Sequence, residues 1–363
     1  MSNHHPLILS LPPNRVRRNY SGGRYLDALE GEPMPVDSNR PEDWLCSTTP
    51  ASNPGFDPVS DEGLSHVIVD RRRVLVRDLL AQAPRYYLGD SHLQKYGLET
   101  GFLAKLLDSA IRLQLQAHPT REFAKLNLGR PWGKLECYVV LSVRPGVTPY
   151  IYLGFQHPPT AQEWLRIVTE QDLPAMMACF EKVPVQPGDV WCVPGGFPHA
   201  LGEGLTLLEV QEPSDLCVRC EFERDGVVVP HEARFMGLTP SDALRIFNYE
   251  RLPLGAVKER FRVTPKILNQ TSGLTESLLI GPEQIDCFEI RELMVSSRGR
   301  YELDGRLTLA IAADGKSKLT SGKDTLQLST GNSCMIAAAA GELIVEPEND
   351  DCCQLLLCMP GRS

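Results

Sequence analysis

From about Lys266 to the carboxy terminus, short apolar runs are cut at close intervals by the turn pairs Arg298-Gly299, Asp304-Gly305, Asp314-Gly315 and Thr330-Gly331. Turns that frequent leave room for strands of a few residues and for no helix of ordinary length, so this part of the chain predicts a sandwich or jelly roll. The same punctuation begins earlier. Leu135 to Val143 and Tyr150 to Phe155 are β-branched and aromatic runs parted by Arg144-Pro145-Gly146. Val183 to Val193 is broken at Pro187-Gly188-Asp189, and Leu205 to Gln211 and Leu216 to Phe222 read as further strands. With 363 residues, the chain has room for two or three compact units at roughly 100–200 residues each. The pattern places one β-barrel near 100–230 and a second near 265–363.

Helices decorate this plan. Apolar residues at 102, 103, 106, 107, 110 and 111 form a helical stripe with Thr100 as its N-cap. Thr160 with Glu163, and Thr169 with Asp172, are spaced as capping boxes and predict helices over about 161–168 and 173–180. Thr239 before Pro240 starts another, running to about Tyr249. Residues 1 to 60 are rich in Pro, Gly, Ser and Asn and show little periodicity.

A formal charge of −9 is the opposite of the basic footprint that phosphate-backbone binding requires, so nucleic acid is not an expected partner. Arg71, Arg72 and Arg73, bounded by Asp70 and Asp78, read as the exposed face of a strand. No apolar run approaches the roughly 20 residues of a membrane helix. Pro6 to Pro13 lacks the basic flank and small-residue site of a signal peptide, so no membrane partner and a cytoplasmic location are expected. Eleven scattered cysteines suit reduced thiols better than a disulfide framework.

The eight histidines stand at 4, 5, 66, 92, 118, 157, 199 and 231, and none follows. A histidine-dependent site must therefore lie in the first two thirds. Gly188-Asp-Val-Trp-Cys-Val-Pro194-Gly-Gly196-Phe-Pro-His199 has the spacing G-x5-P-x-G-x2-H, which resembles the second motif of the cupin superfamily. Its Pro-Gly turn joins two barrel strands and aims the imidazole inward, where it can take a metal. Upstream, Gln116 and His118 are two apart and share a strand face, and Glu136 opens the next strong strand. Two imidazoles, a carboxylate and an amide oxygen suit zinc, with manganese or iron as lesser options.

Further stretches carry a family resemblance: Phe102-Leu103-Ala-Lys105, Gln116-Ala-His118-Pro119, Gly133-Lys134-Leu-Glu136-Cys137, and Leu208-Glu209-Val-Gln211-Glu-Pro-Ser214-Asp215-Leu-Cys-Val-Arg219. With Tyr20-Ser-Gly22-Gly23 near the start, the sequence resembles the class I mannose-6-phosphate isomerases in their shorter bacterial form. The resemblance implies two cupin-like jelly-roll barrels in a mainly β fold with added helices. Residues 1–265 would carry the metal in the first barrel, and 266–363 would form the second domain, without histidine.

By the same resemblance Gln116, His118, Glu136 and His199 ligate one zinc per chain, and Arg219, Lys134 and Asp215 line the catalytic pocket. The implied enzyme is a zinc-dependent aldose-ketose isomerase acting on a sugar phosphate, interconverting mannose 6-phosphate and fructose 6-phosphate through an enediol. A non-catalytic cupin that binds a sugar or sugar phosphate is the alternative. An iron dioxygenase is a second rival, disfavoured because Gln116 stands where such sites usually hold histidine. Gln114 and Pro213 depart from the family's usual Ser and Asn. Gln114 is expected near the phosphate. Cys217 and Cys220 are read as structural, Cys352-Cys353 as an unbridged pair, and Lys105 as a snorkelling or pocket residue.

Overall fold

A computed structural model of the chain describes residues 5–348 and 351–362. It is mainly β with added helices, and most of its strands are gathered into four antiparallel sheets. One seven-stranded sheet runs, in spatial order, Arg262–Val263, Val190–Val193, Glu136–Val143, Leu205–Gln211, Leu103–Asp108, Glu42–Leu45 and Arg15–Val16. A five-stranded sheet runs Val183–Pro184, Tyr150–Leu153, His199–Leu201, Gln116–Ala117 and Val218–Arg219. Between them lies an apolar layer in which Leu107, Val140, Trp191 and Leu207 of the first meet Ile151, Leu153 and Leu201 of the second.

The later part of the chain repeats the arrangement. A seven-stranded sheet reaching from Lys266–Gln270 to Ser333–Ile336 packs its Leu293, Ala310 and Leu357 against Tyr301, Leu319 and Val345 of a four-stranded sheet. Its last place is taken by Ile8–Leu11, which pairs with Ser333–Ile336 with Ile8 opposite Ile336. The opening strand is thus stitched into a sheet otherwise built after residue 265. The two seven-stranded sheets share a core of their own, with Ala104, Leu106, Val139 and Leu208 from one and Ile290, Leu309, Ile311 and Leu356 from the other.

That shared core corrects one expectation. The stripe from 102 to 111 is a strand, Leu103–Asp108, and not a helix. Leu106 faces the second seven-stranded sheet and Leu107 the five-stranded one. With both faces buried, the run loses the alternation of a half-buried strand and imitates a helical pattern. The Thr160–Glu163 capping box forms as expected at the head of Ala161–Glu170. The following helix, Leu173–Met177, is capped by Asp172, while Thr169 turns its hydroxyl back to the Leu165 carbonyl. Thr239 caps Pro240–Ala243, whose helical path continues as a 3-10 turn to Ile246, short of Tyr249. Of Leu216 to Phe222, only Val218–Arg219 pairs in a ladder, because the Leu216 carbonyl is taken by the His118 ring.

Arg71, Arg72 and Arg73 are exposed on a hairpin formed by His66–Val69 and Arg72–Leu75. All eleven cysteines are free thiols, and ten of them are buried. No described helix is long and apolar enough to cross a membrane.

Candidate metal centre

Both sheets of the first pair contribute donors. His199 begins a strand of the five-stranded sheet directly opposite Gln116 in the ladder, and His118 follows Gln116 by two, on the same face. Glu136 starts its strand in the facing seven-stranded sheet, opposite Val193 and Gln211. The turn that delivers His199 depends on glycine twice over. Gly196 has φ +91°, and a Cβ on Gly195 would lie 2.8 Å from the Pro119 carbonyl oxygen.

The donor atoms of His118, Glu136 and His199 all lie within 4.8 Å of one another, and all three residues are buried. Among the described residues no other group of three His, Cys, Asp or Glu side chains is so placed. Each imidazole has its Nδ1 on a backbone carbonyl, His118 on Leu216 at 2.8 Å and His199 on Phe197 at 2.9 Å. Both rings therefore use Nδ1–H as donor and turn the lone pair of Nε2 inward, the arrangement in which an outer hydrogen bond orients a metal-binding histidine.

Inside, Nε2 of His199 is 2.9 Å from Glu136 Oε1, and Nε2 of His118 is 3.1 Å from Oε2. Burial, reinforced by Lys134, drives the His118 pKa down to about 3, so its ring is neutral. Burial opposes ionisation of Glu136, yet Lys134 and the two histidines hold its carboxyl well below the ordinary range. Two lone pairs and a carboxylate thus converge. Glu136 Oε2, 3.1 Å from Lys134 Nζ, still has no partner with hydrogen-bond geometry. A buried orphan acceptor beside two inward lone pairs fits a cation, and the donor separations approach the roughly 3.3 Å set by zinc bonds of about 2.0–2.1 Å in a tetrahedron.

The fourth expected donor, Gln116, has its amide nitrogen 3.5 Å from His199 Nε2 and its Oε1 3.0 Å from the Cys217 sulfur. Turning the amide end for end about its broad, roughly two-fold torsion presents oxygen to the cluster and NH2 to the sulfur. Cys217 and Cys220 are both buried free thiols.

Beside the cluster is a small chamber of about 20 Å³ lined by Arg18, Tyr20, Glu42, Lys105, Gln114, Gln116, Lys134, Tyr138, Glu209 and Arg219. Its charges are largely matched. Lys105 Nζ is 3.0 Å from Glu209 and 3.7 Å from Glu42. Lys134 Nζ lies 3.0 Å from His118 Nε2, 3.1 Å from Glu136 and 3.8 Å from Glu209. Burial works against the charge on Lys134, but Glu136 and Glu209 raise its pKa above the ordinary lysine value. Tyr138 donates its hydroxyl to Glu136. Arg219 differs: its Nη1 donates to the Ala233 carbonyl at 2.7 Å, and no carboxylate pairs with it among the described residues.

Asp215 does not line this chamber. Its two oxygens take a bidentate grip from Arg18 at 2.8 and 2.9 Å, and Oδ2 also accepts from the Ser52 N–H at 2.9 Å. Burial opposes its charge, but Arg18 holds its carboxyl far below the usual range. Asp215 thus reaches the chamber through Arg18. Gln114 does line the chamber, though its Nε2 donates to the Asn19 carbonyl. Nothing in the local sequence marks Arg18, Tyr20 and Glu42 as pocket residues. Arg18 joins Asp215 from 197 positions away, and no local spacing announces such a pair.

No family model matches the chain. It is 34% identical over 221 residues to a mannose-6-phosphate isomerase of Streptococcus mutans, covering 60% of this chain and 61% of that protein. It is 24% identical over 266 residues to the mannose-6-phosphate isomerase ManA of Bacillus subtilis, covering 71% of this chain and 77% of the relative. Its fold resembles a mannose 6-phosphate isomerase structure from Bacillus subtilis with TM-score 0.75 at 19% identity, over 97% of this chain and 99% of the other. A zinc-bound mannose 6-phosphate isomerase structure gives TM-score 0.70 at 16% identity, over 98% and 100%.

Proposed function

We propose, from the premise that this chain belongs to the mannose-6-phosphate isomerase family, that it is a zinc enzyme interconverting mannose 6-phosphate and fructose 6-phosphate through an enediol. The observation that carries this reading is the cluster of His118, Glu136 and His199, both rings fixed by backbone carbonyls, beside the unpaired cation Arg219. We further read the two sheet pairs as cupin-like barrels divided near residue 265, with Ile8–Leu11 exchanged into the second.

Moving a proton between C1 and C2 requires a base and a donor for the oxygen on which charge develops. His118, Glu136, His199 and the turned amide of Gln116 would hold the zinc, which when bound would supply Lewis acidity toward the substrate oxygens. Lys134, 3.1 Å from Glu136 and 3.8 Å from Glu209, is favoured in its charged form, and we assign it the role of hydrogen-bond donor. Arg219 adds fixed positive charge.

With both oxygens bound, Asp215 is suited to fixing Arg18 and poorly suited to taking a proton. Burial raises the pKa of Glu209, with Lys105 opposing and Glu136 reinforcing the rise, and we assign the C1–C2 proton transfer to this carboxyl. A chamber of about 20 Å³ holds about one water. Arg18, Asn19 and Tyr20 also line an outer cavity of about 490 Å³, and we assign sugar entry to that side.

The test is an isomerase assay of the zinc-loaded chain on mannose 6-phosphate and fructose 6-phosphate, with other hexose and pentose phosphates alongside. Turnover of the first pair is expected; silence on every sugar phosphate would leave a binding protein. Arg219→Ala should lower kcat by about a hundredfold or more with zinc retained, since a donor aimed at a developing oxyanion contributes roughly 2.7–4 kcal/mol. Glu209→Gln should lose at least about a hundredfold as well. Near-normal turnover in both variants would remove the proposed machinery from the chamber.

A further inference from the structure

A second cavity, of about 400 Å³, is lined in part by the segment Pro213 to Leu216 that leads into the strand Val218–Arg219, and it shares no lining residue with the metal-side chamber. Its size is within the range of small-molecule sites, about 300–1,000 Å³. Pro50, Pro131 and Pro213 in its walls restrict the backbone and add no N–H donors. The polar groups that face it include several not already satisfied. Among the described residues, the Arg130 guanidinium has no carboxylate partner and the side-chain hydroxyls of Thr49 and Ser52 have no hydrogen bond.

Trp132 supplies an aromatic wall. Its indole is held from outside by the Arg121 guanidinium at 5.1 Å from the ring centre, and its Nε1 donates to Glu99 Oε2 at 3.4 Å. An aromatic face for the C–H surface of a pyranose or furanose, a carboxylate and hydroxyls for its OH groups, and a free guanidinium for an anion are the complementary parts of one ligand class.

We propose that this cavity is a second binding site, for a phosphorylated sugar, with the phosphate on Arg130 and the sugar against Trp132, Glu99, Thr49 and Ser52. The site borders the metal centre through two residues. Asp215 holds Arg18, and the Leu216 carbonyl holds His118 Nδ1, so a ligand seated here touches the segment that orients both. The class of ligand is shared with the isomerase reading above, but the site is separate and can be tested without turnover.

Calorimetric titration of the zinc-loaded full chain with mannose 6-phosphate is expected to show two equivalents bound per chain. Arg130→Ala, at an exposed position where folding is not at stake, should weaken one of them by about tenfold or more, the worth of a hydrogen bond to a charged group. Tryptophan emission supplies a local readout. Trp164 and Trp191 are buried and Trp44 lies against the Arg18 and Lys105 side of the metal-side chamber, so the part of the emission change that Trp132→Phe removes is the part that reports this cavity, and that part should weaken in Arg130→Ala. One equivalent in the parent, or a second equivalent untouched by Arg130→Ala, would overturn the site. Turnover with a single equivalent rejects this site alone, whereas two equivalents without turnover reject the isomerase alone.

Discussion

Replacing His199 with alanine is expected to strip the chain of its metal and its turnover together. The parent should carry about one zinc per chain by elemental analysis, since only one cluster of inward donors exists among the described residues. His199 supplies one of two imidazoles, and its Nε2 faces Oε1 of Glu136 at 2.9 Å while that of His118 faces Oε2. Without it, zinc is left with one ring, one carboxylate and an amide, too few strong donors for a structural hold. Loss of a Lewis acid worth several kcal/mol corresponds to a fall of about a thousandfold or more in kcat. The fold should survive, because Phe197 and Leu201 keep the turn anchored in the core. Full zinc in the variant would take His199 out of the site, and two zincs in the parent would demand a second cluster.

Arg18→Ala should cost about 3–5 kcal/mol of stability, the loss seen when one partner of a buried ion pair is removed and the other stays uncompensated. Arg18 and Asp215 side chains are 6% and 3% exposed, and the same guanidinium also bonds Glu42 at 3.1 Å. Glu42 keeps Tyr20, Trp44 and Lys105, whereas Asp215 keeps only the Ser52 N–H.

The sign of the pH dependence follows. In the parent, Asp215 has a depressed folded pKa, so its contribution is full above the unfolded value near 3.8 and fades only as pH falls through the folded one. In the variant, burial without a partner raises that pKa, and the folded state then takes up a proton that the unfolded state does not. The deficit should therefore be largest near neutral pH and smaller at about pH 4. Urea unfolding of parent and variant at both pH values measures it. An equal deficit at both would mean that the loss comes from packing of the Arg18 side chain over Trp44 and not from Asp215.

What the sequence determined by itself is what lies within one strand or one turn. The spacing from Gly188 to His199 sets a turn whose left-handed residue is Gly196 at φ +91°, and that local backbone path leads into the strand that begins at His199; the glycine at 195 answers instead to the close approach of Pro119. Gln116 and His118 share a face for the same reason: a strand repeats every two residues. The Thr160–Glu163 box is equally local, two side chains satisfying the first free N–H groups of their own helix.

Tertiary structure decided the rest. Leu103–Asp108 is a strand because a sheet covers each of its faces, and that double burial erased the period by which a strand is recognised. Asp215 became a partner of Arg18, not a free acid in the chamber, because the segment after Arg15–Val16 and the segment before Val218–Arg219, each beside an edge strand of one sheet of the first pair, meet there. A charge has no periodicity: its pKa and its role are set by whichever groups the fold brings within a few ångströms in a medium that screens them weakly, and sequence distance carries no record of that neighbourhood.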